Sequence, residues 1–379
     1  MRTALAFGVL TVLGGVVLSA GCSAGTNRSF PTTTDAGGAP PAFAEGDAGA
    51  GACQKSKANF EVPDNGCDDD DDGEVDNVAD CDGKLAVDGD AEDFAKALGI
   101  CKMAEEGSWG LVSATFSAGY GSKVPAEPNQ HGILRRFGAK LKPQEGGALG
   151  VLSSGWAREF NGPGGSEPFQ RGETMAGPGK APPGFPKPAA GCQVESTVND
   201  VISLKLVIKV PANAKGVAFD FNFFSGEWPQ WVCSRYNDGF VAMLTSKEFN
   251  DGEADNISFD AQQNPVSVNN GFFDRCTPGA QTGCNGSPPK IKTASCAGGE
   301  SELAGTGFEE RGSYCGGKTT TGGGATGWLT SKAPVGSGEE VTLEFLIWDT
   351  GDASFDSSVL LDNLRWELGV TQTTTERPK

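Results

Sequence analysis

The chain has 379 residues, 49 of them acidic and 30 basic, so its formal net charge is −19 at pH 7. Nucleic acids and anionic lipid headgroups bind basic faces, so this charge argues against both as direct partners of the folded protein. The same charge favours solubility and the binding of divalent cations. The 11 cysteines indicate an oxidising compartment, because cytosolic proteins rarely keep disulfides.

The N-terminal segment predicts export and a lipid anchor. Met1-Arg2-Thr3 is a short basic start, and residues 4–18 form an apolar run that is too short to cross a bilayer comfortably. Ala20-Gly21-Cys22 resembles a bacterial lipobox, in which the thiol is diacylated and becomes the mature N-terminus. We therefore expect a lipoprotein signal peptide at 1–21 and lipid attachment at Cys22, which anchors the protein to the bacterial envelope, at the outer membrane or the cell surface. Ordinary secretion with an incidental cysteine is the alternative.

Residues 22–52 are predicted to be a flexible tether. They are rich in Ala, Gly, Thr, Pro and Asp, with Phe30 and Phe43 as the only large apolar side chains, and cannot bury enough surface to fold. Inclusion in the first domain is the alternative. A small cysteine-bounded acidic module is predicted at 53–101, and it ends in one short helix over Ala91–Ile100.

Ten cysteines remain after Cys22, an even number that is compatible with five disulfides. There is no C-x-x-C pair and His131 is the only histidine, so a zinc site is not indicated. The cysteines form two even groups, each of which can close its own bridges in a connectivity that the sequence leaves open. The early group is Cys53, Cys67, Cys81 and Cys101, and the late group is Cys192, Cys233, Cys276, Cys284, Cys296 and Cys315.

An acidic run within the module is the first candidate metal site. Alternate carboxylates in a tight loop can converge on one hard cation, and glycine permits the sharp turn. The pattern D-x-D-x-D-G also resembles thrombospondin type-3 calcium repeats. We therefore expect Ca²⁺ as the cofactor, with a solvated acidic linker as the alternative. The predicted ligands are Asp68, Asp70, Asp72, Asp76 and Asp80.

The region 102–368 predicts a mainly β fold, an antiparallel β-sandwich or jelly roll. Apolar residues alternate with polar ones in Val201–Val210, and Val217–Phe223 places its large apolar side chains on one face. We expect a Gly- and Cys-rich insertion at 276–338 and a polar, frayed tail at 369–379. The other predicted strands are Gly110–Phe116, Leu149–Ser154, Phe240–Leu244, Asn256–Phe259, Pro265–Val268, Thr342–Trp348 and Val359–Trp366.

Two sequence blocks combine aromatic strands with acidic turn motifs. The first, from Phe219 to Phe240, contains F-x-F-x-F, S-x-E-W-P and Y-N-D-x-F; the second, from Phe345 to Asn363, contains I-x-D-x-G-D, F-D-S and L-D-N. Together they resemble the signature of the choice-of-anchor L domain of bacterial surface proteins. A weaker match, Val151-Leu-Ser-Ser-Gly155, lies upstream. The resemblance implies a surface location and no assigned catalytic activity. Its name refers to varied C-terminal anchors, and here we expect the lipid on Cys22 to replace them.

The polar and aromatic residues of these blocks are candidate binding residues. Asp349, Asp352 and Asp356 form a second, weaker candidate calcium site, since oxygen ligands gathered at sandwich loops suit calcium. Turn hydrogen bonding by the same side chains is the alternative. The aromatic residues could form a sugar-stacking face or be buried beneath a loop. The candidate ligand-binding residues are Glu227, Trp228, Trp231, Tyr236, Asn237, Asp238, Asp362 and Asn363.

These features predict a non-catalytic cell-surface lipoprotein that displays a calcium-stabilised β-sandwich for adhesion or for envelope or matrix binding. The expected partners are a surface glycan or a matrix protein, with the membrane reached through the N-terminal lipid. His131 is expected in a surface turn, and no G-x-S-x-G elbow accompanies it. The alternatives are a secreted polysaccharide-acting hydrolase with two carboxylates and a structural envelope protein that binds only other proteins.

Overall fold

The computed structural model describes residues 53–158, 174–269 and 271–378. Cys22, the predicted signal peptide at 1–21 and the predicted tether at 22–52 lie outside the described residues.

The described residues form many short strands and little helix, as the sequence predicts. The α-helix α1 spans Ala91–Ala97, and 3-10 turns span Pro128–Gln130, Asn250–Gly252 and Ser301–Leu303. The strands are β1 Gly110–Ser117, β2 His131–Leu134, β3 Leu149–Ser153, β4 Val198–Lys209, β5 Gly216–Ser225, β6 Gly239–Thr245, β7 Asp255–Asn256, β8 Val266–Ser267, β9 Gln281–Thr282, β10 Lys292–Thr293, β11 Arg311–Gly312, β12 Thr320–Thr321, β13 Gly324–Ala325, β14 Leu329–Pro334, β15 Glu340–Thr350, β16 Ser357–Glu367 and β17 Thr374–Glu376.

Two antiparallel sheets make up the fold. The first sheet has the order β1-β4-β15-β6-β7, with β8 beside β6, and the second has the order β17-β14-β5-β16-β3-β2, with β13 beside β5. Two small hairpins, β9–β10 and β11–β12, lie outside both sheets. This arrangement confirms the predicted mainly β fold with antiparallel sheets and one helix.

The main core lies between the two sheets. Phe219 and Phe221 of β5 contact the first sheet, with ring centroids 4.9 Å from Phe345 and 5.1 Å from Phe240. The alternation predicted for β4 is confirmed, because every second side chain is fully buried in the same core: Ile202, Leu204, Leu206 and Ile208. Burial of each such side chain stabilises the fold by about 1.5–3 kcal/mol.

Helix α1 covers one part of this core. Asp90 caps it, because its Oδ1 accepts two N–H groups of the first turn at 3.0 and 2.9 Å. Phe94 is fully buried and packs into the main core. The helix ends at Ala97 rather than at the predicted Ile100, because Gly99 adopts φ +99°, a left-handed conformation that terminates helices.

Strand β14 corrects the predicted extent of the glycine-rich insertion. Residues 329–334 pair with β5 on one side and with β17 on the other, so they belong to the second sheet. The strand was not predicted because Leu329 is its only large apolar residue. Its remaining positions are small, polar or proline and give no strand-like alternation of large apolar side chains.

The C-terminal tail corrects a second prediction. Thr374–Glu376 forms the edge strand β17, and the Thr375 hydroxyl lies 2.9 Å from that of Ser331. Arg377 donates to the carbonyl of Phe272 at 2.7 Å and pairs with Asp274 at 2.9 Å. The segment is therefore ordered by backbone pairing and an ion pair, which need no apolar sequence pattern.

His131 is not in a surface turn, because it begins β2. Its ring stacks on Phe116 with centroids 3.9 Å apart, and its backbone carbonyl accepts a hydrogen bond from Arg158 at 2.8 Å. Burial lowers the pKa of His131 to about 4, and the positive charge of Arg158 acts in the same direction. The side chain is therefore neutral at physiological pH.

Five disulfides close within the two groups that the sequence defines, which confirms the even grouping. Each joins Cα atoms 4.9–5.6 Å apart, the separation that this bond requires. The pairs are Cys53–Cys67, Cys81–Cys101, Cys192–Cys233, Cys276–Cys296 and Cys284–Cys315.

Candidate functional site

The acidic segment, residues 61–80, brings three carboxylates together. One oxygen each of Glu61, Asp68 and Asp70 lies within 4.8 Å of the other two. In the part of the chain that the structure describes, no other set of three or more acidic, cysteine or histidine groups lies this close. Calcium takes oxygen ligands at about 2.3–2.6 Å, so these three can share one ion.

Glu61 also organises the backbone of the acidic segment. Its Oε2 accepts the N–H groups of Asp69 at 2.8 Å and Asp70 at 3.3 Å, and its Oε1 accepts that of Asp76 at 2.7 Å. Sequence reasoning missed Glu61, because no local pattern marks it. Its contact with the aspartates exists only after the chain reverses direction.

The remaining predicted ligands of the acidic segment do not join this set. Asp72 accepts the N–H of Glu74 at 2.8 Å, and Asp76 accepts that of Asn65 at 2.9 Å. The first is a turn hydrogen bond of the kind that aspartate commonly makes, and the second joins residues 11 positions apart in the chain. The side chain of Asp80 is exposed.

The charges of the three grouped carboxylates are unevenly compensated. Lys55 lies 2.8 Å from Asp68, and this hydrogen bond lowers the pKa of Asp68 below its ordinary value. Burial raises the pKa of Asp70, and the charge of Asp72 raises it further. The Oδ1 atom of Asp70 is buried and receives no hydrogen bond from any described residue. A cation bound here would compensate the negative charge on that oxygen.

The two sequence blocks meet at one end of the sandwich. Asp349 lies near the end of β15, Asp238 directly precedes β6, and Asp356 directly precedes β16. Because β6 pairs with β15 through Gly239 and Trp348, the register brings Asp238 beside Asp349. Glu227 follows β5, and all four carboxylate residues are at most 5% exposed. We call these four the buried carboxylate cluster.

Asp238 connects the two sheets. Its Oδ1 accepts the N–H of Thr350 in the first sheet, and its Oδ2 accepts the hydroxyl of Ser357 in the second, both at 2.9 Å. Its carboxylate also lies close to that of Asp349. Burial raises the pKa of Asp238 to about 7.

Asp349 and Glu227 are the least compensated members of the cluster. Neither oxygen of Asp349, nor Oε2 of Glu227, receives a hydrogen bond from any described residue. The Ser154 hydroxyl beside Asp349 donates instead to the carbonyl of Ser357 at 3.3 Å. Burial raises the pKa of both carboxyl groups well above their ordinary values, and repulsion from Asp238 adds to the shift.

The upstream block packs directly on this cluster. A side chain on Gly155 would place its Cβ 1.9 Å from Oδ2 of Asp356, so only glycine fits at this turn. The Ser154 hydroxyl accepts the N–H of Ser357 at 2.9 Å, next to Asp356. The segment V-L-S-S-G, residues 151–155, therefore packs against one side of the cluster.

Three other predicted site residues lie outside the cluster. Asp352 is exposed and accepts the N–H of Ser354 at 3.2 Å, so it does not join Asp349 and Asp356. Asp362 accepts the N–H of Gln144 at 2.5 Å, and the amide of Asn363 donates to Asp220 at 2.7 Å. These contacts involve none of the cluster residues. They give Asp362 and Asn363 a structural role in the second sheet.

Trp231 and Tyr236 face a cleft of 670 Å³. Their rings meet edge to face at 5.3 Å, and the guanidinium of Arg235 lies 4.9 Å from the ring of Tyr236. The Trp231 cleft, as we call it, is also lined by Gly191, Gln193, Cys233, Ser234, Asn285, Ser287, Pro288 and Lys290.

Two predicted binding residues do not reach this cleft. Trp228 is 5% exposed and packs on Phe273 with ring centroids 5.1 Å apart. Asn237 is buried, and its Oδ1 accepts the amide of Asn269 at 2.6 Å. The predicted aromatic face therefore divides into a core tryptophan and a partly exposed Trp231–Tyr236 pair.

The Choice-of-anchor L domain family matches residues 150–364, which is more than half of the chain. The chain belongs to this family. The matched range contains the whole buried carboxylate cluster and the sequence blocks that build it. No curated protein and no solved structure matches the chain significantly.

Membership in the Choice-of-anchor L domain family makes this a surface-associated bacterial protein. The acidic segment and helix α1 lie before the matched range, so the grouped carboxylates Glu61, Asp68 and Asp70 are outside the residues that the family match covers. Within the described residues, no helix is long and apolar enough to cross a membrane.

Proposed function

We propose that this Choice-of-anchor L protein is a lipid-anchored, non-catalytic binding protein of the bacterial surface. Its calcium-stabilised sandwich binds a glycan or a matrix protein through the Trp231 cleft. The observation that carries the proposal is this cleft, which combines partly exposed aromatic rings with polar side chains. Aromatic faces stack on the apolar faces of sugars, while polar groups fix the orientation of a ligand.

The walls of the cleft are held by disulfides, which supports a binding role. Cys192–Cys233 joins two segments that line it, and Cys284–Cys315 fixes the loop that contributes Asn285. The amide of Gln230 also donates to the carbonyl of Tyr314 at 3.0 Å, which ties the Trp231 loop to the same region. A site that is rigid before binding loses less conformational entropy when its ligand arrives.

The proposed calcium ion binds to the acidic segment. The grouped oxygens of Glu61, Asp68 and Asp70, with the uncompensated Oδ1 of Asp70, support one Ca²⁺ there. Bound calcium would hold this segment against the main core, since the N–H of Phe60, next to Glu61, donates to Asn213 at 2.9 Å. The ion then has a structural role and takes no part in a reaction.

The lipid on Cys22 supplies the anchor in this proposal. The lipobox-like residues before it support diacylation, and the family assignment supports a surface location. Two acyl chains give stable membrane attachment, whereas one chain binds only marginally. The tether at 22–52 would then hold the sandwich away from the membrane.

A glycan array beside a hydrolysis assay on the same sugars tests the binding function. We expect the full chain to be retained on at least one glycan or matrix protein, without release of reducing ends. Turnover of a retained polysaccharide would contradict the proposal and favour a hydrolase. Capture of a protein partner by pull-down, with no glycan or matrix binding, would instead indicate a structural envelope protein.

A further inference from the structure

The Trp231 cleft carries positive charge although the protein as a whole is strongly acidic. Arg235 and Lys290 both line it, and no aspartate or glutamate belongs to its lining. The chain, in contrast, has a formal net charge of −19. At physiological salt the Debye length is about 8 Å, so the charges that line the cleft act on a bound ligand more strongly than distant acidic residues do.

Lys290 supplies a cation that pairs with no acidic side chain among the described residues. It is exposed, and its Nζ donates to the backbone carbonyl of Gly191, which also lines the cleft. Its own N–H donates to the carbonyl of Gly283 at 2.9 Å, and the N–H of Gly283 donates to the carbonyl of Pro229 at 2.9 Å. These backbone contacts fix Lys290 next to the loop that carries Trp231.

Arg235 is held in place by its neighbours and still has donors for a ligand. One of its nitrogens pairs with Glu195 at 3.1 Å, and another donates to the hydroxyl of Tyr236 at 2.8 Å. Glu195 and Asp352 offset part of its positive charge, but neither acid lines the cleft. A guanidinium group carries five N–H donors in a planar fork, so the half-exposed Arg235 can also bind the oxygens of an anionic group.

The rest of the lining suits a sugar better than a nucleic acid. Trp231 offers a partly exposed ring, and the exposed side chains of Gln193, Asn285 and Ser287 can form hydrogen bonds with hydroxyl groups. An aromatic ring with a few polar groups around it can both stack on a sugar and fix its orientation. Nucleic-acid binding instead relies on a basic face with many phosphate contacts, which two cations do not provide.

We propose, building on the proposed function of this cleft as the binding face, that its ligand is an acidic polysaccharide. Carboxylate or sulfate groups of the polysaccharide bind Arg235 and Lys290 while a sugar ring stacks on Trp231. Charge-assisted hydrogen bonds are about twice as strong as neutral ones, so an acidic sugar gains more from these two side chains than a neutral sugar does.

The test measures retention of the full chain on two matched pairs of immobilised polysaccharides. Polygalacturonate is compared with its methyl ester, which has the same sugar chain without free carboxylates, and dextran sulfate is compared with dextran. We expect at least about tenfold stronger retention on one acidic member than on its neutral partner, because only the acidic member forms charge-assisted hydrogen bonds. The pair that shows the difference identifies carboxylate or sulfate as the bound group.

A charge variant of the cleft provides the second measurement. Arg235→Gln with Lys290→Gln removes both charges, keeps polar side chains and changes only exposed residues, so the fold should be retained. It should reduce retention on the acidic polysaccharide by at least about tenfold. The matched control is Arg311→Gln with Lys123→Gln, which removes the same charge from exposed residues outside the cleft and should keep the parent value.

Three results would overturn the proposed acidic ligand. The first is equal retention within both pairs, or retention on none of the four, even if the glycan array shows binding to a neutral sugar as the proposed function allows. The second is an equal loss of retention in the cleft variant and in the control variant. The third is release of the bound chain by free polyglutamate as readily as by the acidic polysaccharide, which would indicate an acidic peptide as the ligand.

Discussion

The hydroxyl of Ser357 donates a hydrogen bond to the carboxylate of Asp238 over 2.9 Å. Ser357 begins β16 in the second sheet, and Asp238 directly precedes β6 in the first. The contact therefore joins the two blocks that place the chain in its family, and it does so inside the sandwich. Removing this buried hydrogen bond should destabilise the fold more than removing the hydroxyl of an exposed serine.

We predict that Ser357→Ala lowers the free energy of unfolding by about 1–3 kcal/mol, because it leaves a buried acceptor without its donor. Ser354→Ala is the matched control, since Ser354 is exposed in the loop before β16. It should change the unfolding free energy by less than about 0.5 kcal/mol. Equal effects of the two changes in urea titrations would show that the contact to Asp238 is not stabilising.

His131 provides a pH prediction that can be assigned without ambiguity, because the chain has one histidine. Burial lowers its pKa to about 4 in the folded state, below the usual value of 6.5. A base with a lowered folded pKa stabilises the protein above its unfolded pKa. That stability is lost as the pH falls from about 6.5 towards 4.

The imidazole C–H resonances of His131 should therefore titrate near pH 4 in NMR spectra of the folded protein. In urea titrations, His131→Phe should reduce the loss of stability between pH 6.5 and pH 4 relative to the parent chain, since phenylalanine cannot take up a proton and can still stack on Phe116. A titration midpoint near 6.5 would mean that the ring is solvated rather than packed on Phe116.

Calcium should raise the melting temperature of the full chain, and a chelator should lower it. A ligand that binds only the folded state stabilises it by about 2.7 kcal/mol at about 100 times its Kd. Glu61→Gln with Asp70→Asn should remove the part of this response that comes from the acidic segment. Asp80→Asn, which changes an exposed neighbour, should keep the full response. Identical calcium responses of the parent and the double variant would exclude an ion at Glu61 and Asp70.

The proposed lipid anchor predicts how the protein partitions between the membrane and soluble fractions of the cell. Cys22→Ala should move the protein from the membrane fraction to the soluble fraction, because the diacylated thiol is the proposed attachment. The parent chain should partition with membranes even in high salt, since acyl chains rather than charge hold it. If parent and variant partition identically, Cys22 is not the anchor.

The sequence predicted those parts of the fold that large apolar side chains mark. The alternation in β4 and the phenylalanines of β5 identified two central strands, whereas β14 and β17 were missed. Thr375 of β17 pairs through backbone and hydroxyl groups, and such pairing leaves no hydrophobic period in a sequence. The even cysteine groups were sufficient to limit the disulfides to pairs within each group.

The candidate sites were predicted less completely, because they depend on contacts between distant residues. The spacing of the acidic run suggested that Asp68 and Asp70 converge, but only the folded chain adds Glu61 and excludes Asp80. In the second block, Asp349 and Asp352 belong to the same I-x-D-x-G-D motif, and the sequence does not distinguish them. In the structure Asp349 is buried and Asp352 is exposed. That difference arises from where β15 ends, which the sequence does not mark.

The central claim is that the Trp231 cleft is the binding face, and a matched pair of arginines tests it most directly. Arg235 and Arg311 are each half-exposed and each pairs with one glutamate, at 3.1 and 2.6 Å, but only Arg235 lines the cleft. The measurement is retention of the full chain on the glycan or matrix protein that captures it. Arg235→Ala with Tyr236→Ala should reduce retention by at least about tenfold, equivalent to about 1.4 kcal/mol, while Arg311→Ala should retain the parent value. Undiminished retention of the Arg235→Ala/Tyr236→Ala chain would contradict the account.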